Sequence, residues 1–166
     1  MRIHIATDHA GLEFSKDLQA HLSSNGHEVI DHGPTEYDAL DDYPSFCINA
    51  ARAVVVDQGA GVEALGIVFG GSGNGEAIAA NKVTGVRAAL VWSVATAKLG
   101  REHNDANVIA IGARQHSFDE VTTFVDTFIT TPFSNEERHE RRIAQLAEYE
   151  TTGAIAGHDV DQTPVD

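Results

Sequence analysis

The residues best placed to do chemistry are Gly70-Gly71-Ser72-Gly73-Asn74-Gly75-Glu76. A glycine run that enters a helix leaves backbone N–H groups uncovered, and the helix dipole adds partial positive charge. Such a loop binds negative charge. Three familiar uses of it fail on spacing. Counting from Gly71, the third glycine of a dinucleotide-type G-x-G-x-x-G falls on Glu76. No Gly-Lys-Ser/Thr follows, which excludes a nucleotide phosphate loop. A hydrolase elbow needs G-x-S-x-G, and Asn74 stands where its last glycine belongs, so Ser72 is not expected to be a nucleophile.

Glu76 narrows the chemistry. A carboxylate at the mouth of an anion-binding loop would repel a phosphate held there. It is better understood as a base beside a place where negative charge appears only during reaction. Removing a proton α to a carbonyl creates such a charge, an enediolate, and preorganised amides lower that barrier by roughly a few kcal/mol. A Glu that merely complements the helix dipole is an equally good reading of this residue alone.

Other polar turns weigh on that balance. Asp8-His9 could trade protons with a sugar hydroxyl, although Asp8 could simply cap the helix that follows. His103-Asn104 closes a helix, where His103 is either an acid/base or a dipole partner. Arg138 and Arg142 stand i, i+4 on one helix face and suit a phosphate, with Arg114 as a third cation. Ion pairing with Glu136, Glu137 and Glu140 is the plainer reading of that cluster.

The elements that must carry these residues alternate. Strand-like runs span Arg2–Ala6, His27–Asp31, Leu65–Phe69, Arg87–Trp92 and Asn107–Ile111. Helical patterns span Leu12–Ser24, Pro44–Gln58, Glu76–Val83, Ser93–His103, Phe118–Thr130 and Ser134–Tyr149, the last with Ser134 as N-cap and Glu137 completing a capping box. The order implies an α/β fold: a three-layer, Rossmann-like, doubly wound sheet of about five parallel strands with helices on both faces. Ligands of such sheets bind outside the strands' carboxyl ends. Thr7-Asp8-His9, Gly70–Glu76, Trp92-Ser93 and Gly112-Ala113-Arg114 are therefore expected to converge on one crevice. Residues 1–150 read as one domain, and 151–166 as a tail that is mobile or packed on a partner.

Composition sets limits on partners. The 166 residues carry 11 basic and 25 acidic side chains, a formal net charge of −14, so nucleic acid and anionic membrane are poor partners. No apolar run reaches the roughly 20 residues of a membrane span. One cysteine, Cys47, and an N-terminus without signal-peptide features fit a cytoplasmic protein. Nine histidines without H-E-x-x-H spacing give no metal motif, and no metal is expected.

With these motifs assembled, the sequence resembles ribose-5-phosphate isomerase of type B, the family that also holds galactose-6-phosphate isomerases. The resemblance covers about residues 1–150 and is closest to the actinobacterial branch. It rests on Asp8-His9-Ala10-Gly11, Asp42-Tyr43-Pro44, Gly70 to Glu76, Ala80-Asn81-Lys82, Arg101-Glu102-His103-Asn104 and Arg138-His139-Glu140-Arg141-Arg142. Many relatives place a cysteine base where this chain has Ser72, which leaves Glu76 as base here. The resemblance implies that His103 assists ring opening, with Asp8 handling hydroxyl protons. Glu76 would move a proton between C2 and C1, and the amides of Gly71, Gly73, Asn74 and Gly75, with Ser72, would stabilise the cis-enediolate. His9, Arg114, Arg138 and Arg142 would hold the phosphate, and Tyr43 and Asn104 the sugar. It also implies a homodimer or dimer of dimers with shared sites, and no cofactor. A six-carbon sugar phosphate as substrate, or a non-catalytic sugar-phosphate sensor, are the competing expectations.

Overall fold

Short runs of β-branched and apolar residues form the strands, as such side chains pack well on a pleated surface. In the computed structural model, which describes residues 1–160, β1 (Arg2–Ala6), β2 (Glu28–Asp31), β3 (Ala64–Gly70), β4 (Ala88–Val91) and β5 (Val108–Gly112) form one parallel sheet. Its order is β2-β1-β3-β5-β4. The helices are α1 (Leu12–Ser24), α2 (Tyr43–Gly59), α3 (Asn74–Ala80), α4 (Val94–Asn104), α5 (Phe118–Thr130) and α6 (Glu137–Thr152). A 3-10 turn, His9–Gly11, joins β1 to α1.

The period-2 alternation of the strands divides the core into two layers. Ile3, Ile5, Ile67, Phe69, Ile109 and Ile111 pack with α1, α4 and α5 through Leu18, Leu22, Ala97, Val121 and Phe128. Ala6, Val68, Val108 and Ala110 face the other way, towards α2 and α3, through Cys47, Ala50, Val54 and Ala80. Small side chains dominate this second layer and let α3 sit close to the sheet. The sheet is thus sandwiched by helices, as the alternation of elements predicts.

Several boundaries differ from the sequence expectation for identifiable reasons. Helix α3 begins at Asn74 and stops at Ala80, short of Val83, because Asn81 leaves the helix to bracket Ala88. Its Oδ1 accepts from Ala88 N–H at 2.8 Å and its Nδ2 donates to Ala88 O at 2.9 Å, which pins the start of β4. Ser134 does not cap α6. Its hydroxyl pairs with His139 Nδ1 at 2.8 Å, Asn135 adopts φ 53°, and Glu136 takes the N-cap position. Beyond α6 the chain turns back on that helix, with Ala156 N–H donating to Glu148 Oε1 at 3.0 Å and Gln145 meeting His158 at 3.0 Å. The rest of the expected tail, 161–166, lies outside the described residues.

Phe128 is fully buried where α5 meets the sheet. Phe128→Ala should cost about 3–5 kcal/mol in urea unfolding, the range for emptying a core aromatic site.

Candidate active site

Two glycines place Glu76. Gly73, at φ +81°, makes the left-handed turn that ends the loop and starts α3, and a side chain there would strike Leu90 and the Ile111–Gly112 backbone. From the first turn of α3, Glu76 reaches back over the end of β3. Its carboxylate lies against the Cα of Gly70, where any Cβ would collide with it. The residue is 4% exposed. Burial raises its pKa above the ordinary glutamate value and the nearby Asp8 charge adds to that, while hydrogen bonding at the Glu76 and Gly73 backbone opposes it. A carboxyl shifted upward in this way is the better proton acceptor.

The surroundings of Glu76 come from four strand ends and helix starts. Asp8 follows β1, is buried, and uses Oδ1 to accept from Ala10 N–H at 2.9 Å. It therefore does cap the turn after β1, and the same carboxyl also bears on Glu76. His9 pairs through Nδ1 with Asp41 Oδ1 at 2.6 Å. Tyr43, first residue of α2, packs its ring on Gly75. Arg114 lies over Gly71, and Ala113 N–H donates to Gly70 O at 2.8 Å, so the end of β5 braces the loop. Ser72 and Asn74 are exposed, with Ser72 Oγ accepting from Asn74 N–H at 3.3 Å.

Asp8, His9, Tyr43, Gly71, Ser72, Gly73, Asn74, Gly75, Glu76 and Arg114 thus share the carboxyl end of the sheet, flanking β1 and β3 where strand order reverses. Trp92-Ser93 follows β4, the edge strand, at the same end of the sheet. Ser93 spends its hydroxyl capping α4 through Thr96 N–H at 3.2 Å, and Trp92 is 60% exposed.

His103, Asn104, Arg138 and Arg142 form a second cluster at the other end. Helix α4 runs back from the carboxyl end of β4 to the amino end of β5, carrying His103 and Asn104 away from Glu76. Ser134 N–H donates to Glu102 O at 3.2 Å, which docks the start of α6 on the end of α4. Arg138 Nε pairs with Glu136 Oε2 at 2.8 Å, both half exposed, so the ion-pair reading of this arginine holds within one chain.

Three residues at these sites escaped the sequence reading. His139 is 2% exposed and stacks on His103 with centroids 4.3 Å apart, although helical spacing turned it away from the arginines. Burial first, then the charges of His103 and Arg138, lower its pKa. Cys47 lies near Glu76 and Asp8, but burial, then those two charges, push its thiol up to about 12, which closes thiolate chemistry. Asp41 is the partner of His9; its position two before Tyr43 in an acidic run was the available signal. Asp8, His9 and Asp41 also bring one metal-ligand atom each within 4.8 Å of one another. In this trio His9 Nδ1 is already bonded to Asp41 and Asp8 Oδ1 to the backbone, an arrangement for holding protons and dipoles.

Fold and site together define a doubly wound α/β protein with a buried carboxylate under a glycine loop. A family model described as Ribose/Galactose Isomerase matches residues 3–146. Ribose-5-phosphate isomerase B of Mycobacterium tuberculosis (strain H37Rv) is 57% identical over 152 residues, spanning 92% of this chain and 91% of that protein. The crystal structure of ribose-5-phosphate isomerase B from Mycoplasma genitalium with bound ribulose-5-phosphate superposes with TM-score 0.85 at 40% identity, covering 91% of this chain and 97% of that one. Type B ribose 5-phosphate isomerase of Trypanosoma cruzi gives TM-score 0.84 at 38% identity, covering 92% and 98%. The chain belongs to the ribose/galactose isomerase family, and it is an isomerase.

The raised carboxyl of Glu76 has a sign that can be checked. Its favourable contribution to folding is complete below the unfolded value, near 4.5, and is lost as pH rises through the higher folded value. Glu76→Gln should therefore melt above wild type near pH 7, with the advantage shrinking towards pH 4. An advantage independent of pH would contradict burial of the charge as its cause.

Proposed function

We propose that this chain interconverts D-ribose 5-phosphate and D-ribulose 5-phosphate through a cis-enediolate, in the non-oxidative pentose phosphate pathway of the cytoplasm. The observation that carries the reading is Glu76, buried against Gly70 with its pKa raised and glycine-loop amides beside it. Ribulose-5-phosphate bound to the Mycoplasma genitalium relative supports the substrate class.

His103 and Asp8 assist opening of the furanose ring. Glu76 takes the proton from C2 of the aldose while the C1 carbonyl becomes the enediolate oxygen. The amides of Gly71 to Gly75, with Ser72, stabilise that charge. A proton passes from O2 to O1, and Glu76 returns its proton to C1, leaving the carbonyl at C2. Each proton and electron pair is accounted for within substrate and protein, so the sequence calls for no cofactor. Arg114, Arg138, Arg142 and His9 hold the phosphate, and Tyr43 and Asn104 contact the sugar.

These roles need two chains. In one chain the His103 and Arg138 cluster stands at the amino end of the sheet, and Glu76 at the carboxyl end. A homodimer, or a dimer of dimers, that sets one end against the other completes each site. An apolar groove between α6 and the start of β4, lined by Val86, Ala89, Ile143 and Leu146, supports such an assembly.

Two measurements test the proposal. Ribose 5-phosphate in D₂O should yield ribulose 5-phosphate carrying solvent deuterium, and Glu76→Gln should still bind ligand while kcat falls roughly 10²-fold or more. Near-full activity of that variant would remove Glu76 as base, and a higher kcat/KM for allose 6- or galactose 6-phosphate would move the substrate to six carbons. Separately, mixing and refolding inactive Glu76→Gln with inactive His103→Ala should restore activity, because one site of the hybrid dimer has both residues. No recovery, or an active monomer by light scattering, would overturn the shared site.

A further inference from the structure

His9 is one of the groups assigned to the substrate phosphate, and its ring is not free to choose which nitrogen it offers. Nδ1 lies 2.6 Å from Asp41 Oδ1, and the same oxygen accepts the His9 backbone N–H at 3.2 Å. An ionised carboxylate only accepts, so this geometry puts a proton on Nδ1 and leaves Nε2 for other partners. Tyr37 meets the imidazole edge-on, with centroids 5.9 Å apart, and limits its rotation.

Asp41 is itself delivered with care. Its N–H donates to Asp38 O at 3.1 Å, and Asp38 Oδ1 accepts from Leu40 N–H at 2.9 Å, forming a turn just ahead of α2. The next residue, Asp42, occupies the N-cap position of α2, with Pro44 in the first turn. The Asp41 side chain is only 8% exposed. Its Oδ2 is buried and has no protein partner among the described residues. Burying a carboxylate with one oxygen unpartnered is unfavourable. The loop gains nothing from Asp41 Oδ1 except the hold on His9.

We propose that Asp41 is a positioning residue that fixes the tautomer and orientation of His9, so that Nε2 is the nitrogen presented to the substrate phosphate. This rests on the phosphate role given to His9 above. With Nδ1–H committed to Asp41, Nε2 is the ring nitrogen left to face the phosphate, and the carboxylate makes the Nδ1 contact a charge-assisted one. The plainer possibility is that Asp41 only ties the loop before α2 to the start of α1. The two differ in what happens when His9 is removed.

The test is a pair of substitutions read in both backgrounds. Asp41→Asn should raise KM for ribose 5-phosphate about ten-fold while kcat stays within about three-fold, as expected for one lost charge-assisted contact. His9→Asn should raise KM by a similar factor, and adding Asp41→Asn to it should change nothing further. An unchanged KM in Asp41→Asn, or its full penalty repeated in the His9→Asn background, overturns the proposal. A second reading needs no variant to fold well and no turnover. In ¹⁵N–¹H spectra of the intact protein, His9 should carry its proton on Nδ1, and inorganic phosphate should shift the Nε2 resonance. A neutral His9 protonated on Nε2, or an Nε2 signal indifferent to phosphate, overturns the proposal. Absence of any turnover of ribose 5-phosphate would instead count against the proposed reaction.

Discussion

The site depends on a carboxylate pressed against a bare backbone. Glu76 can reach back over β3 only because Gly70 has no side chain, and α3 can start there only because Gly73 turns with positive φ. Everything around the loop holds this contact in place. The end of β5 hydrogen-bonds to it, Tyr43 covers Gly75, and the small-residue layer of α2 and α3 brings the helix down to the sheet. Burial then raises the pKa of that carboxyl, since taking charge out of water makes it more avid for a proton.

The polarity of a parallel sheet sorts the remaining residues. Loops after β1, β3 and β5 gather at one end, whereas the return helix α4 and the start of α6 lie at the other. The proposed reaction needs both sets, and the proposed dimer supplies them from two chains. Among the arginines, Arg114 lies over Gly71 at the Glu76 end, whereas Arg138 and Arg142 stand at the other.

Histidines show how context divides one residue type. His9 is braced by Asp41, His139 is buried as a stacking partner for His103, and His4 is built into a structural network with Asp57 and His32. Ser134 belongs to the same pattern. Its sequence spacing marks a helix cap, yet its hydroxyl serves His139, because a buried imidazole left without a partner is more costly than an exposed helix end left to water.

Residue order alone determined the alternation of strands and helices, the apolar strands, the glycine loop and the candidacy of Glu76, because each is written in local periodicity, turn chemistry or spacing. Family motifs supplied the rest of the residue list. Only the tertiary structure decided which of these residues meet. It placed Glu76 on Gly70, gave His9 its Asp41, turned Ser93 and Ser134 to local caps and partners, and set His103 and Arg138 at the far end of the sheet. His9 and Asp41 stand 32 positions apart, and even the short-range contacts depend on how loops and helix starts are packed against the sheet, which periodicity does not encode.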